Sequence, residues 1–276
     1  MALLLENTNP SKILDTQIFL LIKLLRKMQL VEIEYSRISE LASALLILGF
    51  DIDDDYLKPV LEQAKLQVSK TSSTAAIISS LNLLSFLPNQ KKIVADNINL
   101  ILKYKNKDGG YGRFYGDRSR IPVCWRILEC FKRNNIEDST VRDFVKWMED
   151  EWTRDMSRGG LSYKCSGILI ANSYYPLFSR EFIERSLNWL LDDQNSDGGW
   201  SAKKDSPVGS VPSYTGLALR ALTNYQNDLR VKKAIDAGIV WLNSNMLNSG
   251  LWKEHPIEKA CIEISLFLDS YLKCKT

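Results

Sequence analysis

Three sets of side chains in this sequence have the chemistry to act on a ligand. The first is acidic: Asp51, Asp53 and Asp54 crowd carboxylates together, Asp117 lies in a loop after a glycine turn, and Glu258 and Glu263 stand on an apolar C-terminal stretch. A carboxyl that is buried or set beside other carboxylates keeps its proton to higher pH and can deliver it as a general acid. The second set is basic. Arg113, Arg118, Arg120, Lys203 and Lys204 fall in two loops that each follow a Gly-Gly pair, and arginine suits bidentate phosphate contact. If the loops share one rim, they form either a diphosphate or other anion site or a solvated basic edge. The third set is soft: Cys124, Cys165 and Cys261 recur at nearly the same register, and His255, the only histidine, precedes the last of them. Thiolates and imidazole are zinc ligands, while small buried cysteines are also common core residues in tight helical packing. Trp125, Tyr163 and Tyr214 stand near the starts of the same stretches. Their ring faces would stabilise a carbocation by about 0.5–2 kcal/mol each; core packing is the alternative reading.

The elements that must position these residues come from a repeat. One phrase occurs four times, most fully as Asn188 through Gln194 to Gly198-Gly199-Trp200, and also at Leu102 to Tyr111, Trp147 to Leu161 and Trp241 to Trp252. About 40 to 50 residues separate the glycine turns, enough for two ordinary helices. After each turn comes a small and apolar stretch such as Tyr214 to Leu219, which reads as a buried inner helix; next comes an amphipathic one such as Glu181 to Leu190, which suits an outer helix. Inner helices are expected to begin near Ser36, Ser72, Pro122, Ser162, Pro212 and Ile257, and outer ones near Asp53, Lys91, Ser139, Ser179 and Leu229. Ser11 to Gln29 is an unpaired outer-type helix, expected to pack beside the last inner helix and close the ring. The fold expected is all-α, an (α/α)6 toroid, with residues 1–276 forming a single domain.

In this register Asp51, Asp53 and Asp54 fall between an inner helix and the next outer one, where a helix N-terminus favours negative charge. They read as a structural cap. The starts of the inner helices near Pro122 and Pro212 hold no carboxylate, which leaves Glu258, Glu263 and the loop residue Asp117 as candidate acids. A net charge of +3 and a pI near 8.5 are too mild to imply a nucleic-acid partner. Five widely spaced cysteines without a signal peptide lead to the expectation of reduced thiols and a cytoplasmic location. No apolar run reaches the ~18–20 residues of a membrane span, so any membrane contact is expected to be peripheral.

The Gln194 to Trp200 segment resembles the QW-type repeats of squalene-hopene and oxidosqualene cyclases, and more broadly the terpenoid cyclase and protein prenyltransferase toroid superfamily. The resemblance runs from about Thr71 to the C-terminus. It implies that Gln194, Trp200 and Tyr111 tie neighbouring outer helices together, and that a hydrophobic isoprenoid-type molecule occupies the central cavity. In class II terpene cyclases the middle Asp of a D-x-D-D motif is implied to protonate an alkene or epoxide. The letters Asp51-Ile52-Asp53-Asp54 are present, but that motif opens an inner helix in the family, at the opposite end of the hairpin. The stretch from Gly109 to Arg113, with Cys124, also looks like the β subunit of protein prenyltransferases, whose loop holds a prenyl diphosphate and whose Cys binds zinc. Here Pro122 stands where the zinc site needs an Asp, so neither zinc nor magnesium has a complete motif and no cofactor is assigned. The resemblance implies that a second subunit is possible. The expected function is binding or cyclisation of a polyprenyl chain or prenyl diphosphate. The alternatives are a non-catalytic toroid for a lipid or partner protein, and a zinc-dependent prenyltransferase-like enzyme.

Overall fold

The computed structural model describes residues 10–29, 35–50, 57–70, 73–254 and 256–274. Twelve α-helices run through them, with two short 3-10 turns and no strand beyond isolated bridges among the described residues. The odd-numbered helices are outer: α1 (Pro10–Gln29), α3 (Leu57–Lys70), α5 (Lys91–Lys103), α7 (Asp138–Met156), α9 (Arg180–Asp192) and α11 (Leu229–Ser244). The even-numbered ones are inner: α2 (Tyr35–Ile47), α4 (Thr74–Leu84), α6 (Ile121–Arg133), α8 (Ser162–Tyr174), α10 (Pro212–Leu222) and α12 (Ile257–Lys273). Each inner helix packs on the next, and α12 returns to α2, so the ring closes. Helix α1 lies against both α12 and α2, as the unpaired N-terminal segment was expected to, and Gln17 Nε2 donates to the Gly250 carbonyl at 2.9 Å. The molecule is an (α/α)6 toroid.

Side-chain pattern sorts the two layers. Helix α4 buries residues on every face, including Ile77, Ile78, Ser80, Leu81 and Leu84, whereas α5 buries only Val94, Ile98 and Ile101, a single stripe at spacings of four and three. The outer helices α9 and α11 start on the N-caps Ser179 and Asp228, each accepting a backbone N–H of the first turn. Inner helix α4 also starts on an N-cap, Ser73, whose hydroxyl accepts from Ala76 N–H, and two inner helices gain a carbonyl from a loop further along the chain: Thr74 N–H donates to Arg113 O (2.8 Å) and Ser162 N–H to Ala202 O (3.1 Å). No helix among the described residues is long and apolar enough to cross a membrane.

Two of the repeated turns, those after α5 and α9, are hydrogen-bonded clamps of one design. After α5, Ser119 Oγ (2.8 Å) and Gly110 N–H (3.0 Å) both donate to Asp108 Oδ1, and Asn106 Nδ2 donates to Ser119 Oγ at 2.9 Å. After α9, Ser210 Oγ (2.6 Å) and Gly199 N–H (3.0 Å) donate to Asp197 Oδ1, and Asn195 Nδ2 donates to Ser210 Oγ at 2.8 Å. Gly198 takes φ +94°, open to glycine at little cost, and a Cβ on Gly199 would stand 2.5 Å from Ser210 Cβ and 2.8 Å from the Trp241 ring. Trp200 is fully buried and donates from Nε1 to Leu190 O at 3.0 Å; Trp252 repeats the bond to Leu242 O at 2.9 Å. Gln194 Nε2 donates to Gly198 O (2.8 Å) and, across to α11, to Ala234 O (2.9 Å). Gln194 and Trp200 therefore bind outer helices together. Tyr111, the counterpart of Trp200, packs edge-on against Phe144 of α7 at 4.8 Å.

Candidate functional site

Helix α6 carries Arg126, Glu129 and Arg133, spaced three and four apart and so on one face. That face looks into the lumen, where it meets Glu40 of α2, Arg220 of α10 and Glu263 of α12. The six charges alternate in a continuous chain. Glu40 pairs with Arg126; Arg126 and Arg220 each stand 3.9 Å from Glu263; Arg220 reaches Glu129 at 3.4 Å, and Arg133 reaches it at 3.2 Å. Tyr174 of α8 donates to Glu129 at 3.0 Å and accepts from Arg220 at 3.2 Å, and Ser79 of α4 donates to Glu40 at 3.1 Å. All six inner helices thus contribute to one polar network. Arg126 and Arg220 also lie over the Trp125 ring at 5.1 and 5.8 Å, and Trp125 is seated against Gly167 of α8, where a Cβ would fall 2.4 Å from its ring.

The carboxylates differ in how they are held. Burial alone would raise Glu129, but Arg220, Arg133 and the Tyr174 hydroxyl outweigh it and hold the carboxyl below its usual range. Glu263 is 4% exposed, and its Oε2 has no hydrogen-bond partner among the described residues. Burial raises its pKa, and the two guanidiniums at 3.9 Å pull it back only in part. The chain of ion pairs leaves a void of about 50 Å³, bordered also by Trp125, Asn82, Ile47 and Leu266. Small-molecule pockets are commonly ~300–1,000 Å³. Of the three aromatic residues expected to line the cavity, Trp125 alone borders this void, and six charged side chains share the rest of its wall with small polar and aliphatic ones.

The other candidates stand elsewhere. Tyr163 and Tyr214 stack on each other at 5.7 Å near the starts of α8 and α10, with Lys259 Nζ 4.5 Å from the Tyr214 ring; neither borders the void. Arg113, Arg118, Arg120, Lys203 and Lys204 are exposed and do not reach it. Arg113's loop caps the start of α4, and the loop of Lys203 and Lys204 caps the start of α8. Arg118 lies 3.7 Å from Glu151, and Lys204 Nζ donates to Asp192 O at 2.6 Å. Asp117 stays in the first loop, where its backbone carbonyl accepts from Asn106 at 2.7 Å. The Cys124 thiol donates to Tyr111 O at 3.7 Å and the Cys165 thiol to Ser186 O at 3.1 Å, and burial pushes both thiols up. Cys261 is also buried, and no group of three His, Cys, Asp or Glu among the described residues could hold a metal. Asp51, Asp53, Asp54 and His255, and the side chain of Glu258, lie outside the described residues. Among the described residues, Glu263 is the candidate acid that the fold carries to the axis as a carboxyl. Glu40, Arg126, Glu129, Arg133 and Arg220 were not singled out, although charges on otherwise apolar inner helices were the available signal.

Comparison with known proteins places this geometry among terpene cyclases. The type II terpene cyclase MstE from Scytonema in its apo form superposes with a TM-score of 0.72 at 12% identity, over 96% of this chain and 99% of that one. A variant of MstE in complex with merosterolic acid A (product) gives 0.72 at 13% identity, over 96% and 99%. At such identity the likeness is one of fold. In sequence, the squalene–hopene cyclase of Zymomonas mobilis subsp. mobilis is 36% identical over 81 residues, which cover 26% of this chain and 12% of that enzyme, so only about an eighth of the relative's length is matched. The family described as squalene-hopene cyclase C-terminal domain matches residues 117–272, more than half of the 276 residues, and the chain belongs to that family.

Proposed function

We propose that this chain is a type II terpene cyclase-like enzyme that takes an isoprenoid at the axis of the toroid and protonates it from Glu263. The observation that carries the reading is Glu263 itself: a carboxyl 4% exposed, facing the lumen beside Trp125, with burial raising its proton affinity. Transfer of its O–H proton to a carbon–carbon double bond leaves a tertiary carbocation and a carboxylate, and Arg126 and Arg220 at 3.9 Å offset the new negative charge. The Trp125 face, already placed over two guanidiniums, suits the cation. Loss of a proton from the cyclised cation, either back to Glu263 or to solvent with Glu263 then taking a proton from solvent, completes the cycle. Family membership and the likeness to MstE support this reading; one MstE variant is described in complex with geranylgeranyl dihydroxybenzoate (substrate). Admission of a chain requires the mouth to widen, and Arg126 and Arg133, whose side chains keep 30% and 26% of their surface, are the groups placed to swing aside.

The test is turnover of farnesyl and geranylgeranyl compounds by purified protein, followed by mass spectrometry. Glu263→Gln is expected to lower it by about 10²–10⁴-fold while the melting temperature is retained. A wild-type protein that neither binds nor converts any of these compounds would overturn the reading. The small void favours a second one, a non-catalytic toroid for a lipid or partner protein. On that reading no product forms, and ligand binding is indifferent to Glu263→Gln.

A further inference from the structure

The charge balance of the lumen hangs on one proton. With all six groups ionised, Glu40, Glu129 and Glu263 offset Arg126, Arg133 and Arg220. Once Glu263 is protonated, three guanidiniums face two carboxylates and one positive charge is uncompensated. Two donors then lose their counter-charge, Arg126 Nη2 and Arg220 Nη1, each 3.9 Å from a Glu263 oxygen. A third, Arg133 Nε, is buried without a hydrogen-bond partner among the described residues. These donors border a void of about 50 Å³, the liquid share of one to two waters at roughly 30 Å³ each. That space is of the size of a halide or a simple carboxylate.

Lys259, on the same helix, is a further cation acting on Glu263 and adds to the positive side of this count. Glu40 faces it from α2, Arg126 and Glu129 from α6, Arg220 from α10, and Lys259 from its own helix. On α1, the other neighbour of α12, Asp15 and Lys23 are turned to solvent. An isolated positive charge in such a site is costly unless paired, so protonation of Glu263 and entry of an anion assist one another.

We propose that the lumen is a binding site for one small, singly charged anion, of chloride or acetate size, and that the anion enters together with a proton on Glu263. The anion replaces Glu263 as counter-ion to Arg126 and Arg220 and so keeps the acid in its proton-loaded form. The site stands on the ion-pair geometry alone. Only its effect on turnover rests on the cyclase reading.

The experiment is thermal unfolding and calorimetric titration with sodium chloride and, separately, sodium acetate, at constant ionic strength against sodium gluconate, from pH 5 to 8. Chloride or acetate is expected to raise the melting temperature and to be taken up with about one proton. Above the pH at which Glu263 ionises, affinity is expected to fall about tenfold per pH unit. Glu263→Gln, permanently neutral, is expected to bind the anion at pH 8 as tightly as the wild type does at pH 5, a gain that misfolding cannot imitate. Arg133→Gln is expected to weaken binding at least tenfold. Equal melting in chloride, acetate and gluconate at every pH, binding without proton uptake, or a Glu263→Gln variant no tighter than wild type at pH 8 would each overturn the proposal. Anion binding by a protein that turns over no isoprenoid supports the site and removes the cyclase reading; turnover with no anion binding does the reverse.

Discussion

The glycine turns and the lumen are built on opposite principles. The turns after α5 and α9 use the same residue types at matching positions, Asn106, Asp108 and Ser119 in one and Asn195, Asp197 and Ser210 in the other, and make the same hydrogen bonds. In the lumen, each inner helix contributes different chemistry: Glu40, Ser79 and Arg126 stand at one register from their helix starts yet carry an acid, a hydroxyl and a guanidinium, and Tyr174, Arg220 and Glu263 stand at other registers. Every hairpin of a toroid must solve the same packing problem, so a demand of the fold shows up in each of them. A residue found in one hairpin alone answers some other demand. The energetics agree: the turns satisfy polar groups locally, whereas the lumen takes charges out of water at several kcal/mol apiece, a burden that the packing of helices does not require.

The largest expected effects lie at one residue from each region. Trp200→Ala empties a fully buried indole site and is expected to cost about 3–5 kcal/mol in denaturant unfolding. Arg220→Met is expected to cost about 3 kcal/mol, for a different reason: it leaves Glu129 and Glu263 short of a counter-charge. The second substitution Glu263→Gln separates the two causes. It is expected to recover part of the loss in Arg220→Met by removing an uncompensated charge, and to recover none in Trp200→Ala. If it rescues neither, charge is not what makes the lumen costly, and the contrast between the regions fails.

A smaller effect tests the turns by themselves. A Cβ on Gly199 has Ser210 on one side and the Trp241 ring on the other, at 2.5 and 2.8 Å, so Gly199→Ala is expected to lower stability by about 2 kcal/mol. Gly110 is hemmed in the same way by Trp147 and Ser119. Gly110→Ala should therefore give a similar loss in thermal unfolding. A large difference between the two would show that the clamps, alike in hydrogen bonding, are not alike in energy.

What could be read from the sequence divides along the same line. The helix starts at Lys91, Ser162, Pro212, Leu229 and Ile257 fall where the pattern places them, because caps, prolines and periodicity are local signals. The closing role of α1 followed from counting six inner helices against five outer ones, and the structural roles of Gln194 and Trp200 from the resemblance to QW-type repeats. The lumen was not legible. Arg126 meets Glu40 across 86 positions and Arg220 meets Glu129 across 91, and nothing local selects those partners. One cue was present: Arg126, Glu129 and Arg133 share a face of a helix whose surroundings are otherwise apolar, and a buried charged face needs a charged counterpart. Arg113 and Lys203 follow equivalent turns and stand in loops at the starts of α4 and α8, and neither borders the void.

The smallest effect tests an exception within the repeat. Asp193 follows α9, and the corresponding position after α5 is Tyr104, so this acid is not part of the common clamp. It is 8% exposed; Oδ1 accepts from Lys204 N–H at 2.9 Å, and Oδ2 is buried without a partner. Burial raises its pKa from 3.8 to about 6, the Lys204 bond and charge lower it in part, and Asp205 adds to the rise. The native state thus holds this proton more tightly than the unfolded chain does. Stability from this group is fully present below about pH 4 and is lost as pH rises toward about 6, above which the buried charge exacts its full cost. Asp193→Asn keeps the acceptor for Lys204 and removes the charge. It is expected to raise stability by about 1–2 kcal/mol above pH 6 and by nothing at pH 4, as read from thermal unfolding across that range. A gain that persisted undiminished to pH 4 would place the cost in the shape of the site and not in its charge, and Asp193 would then be no exception to the packing rule that governs the turns.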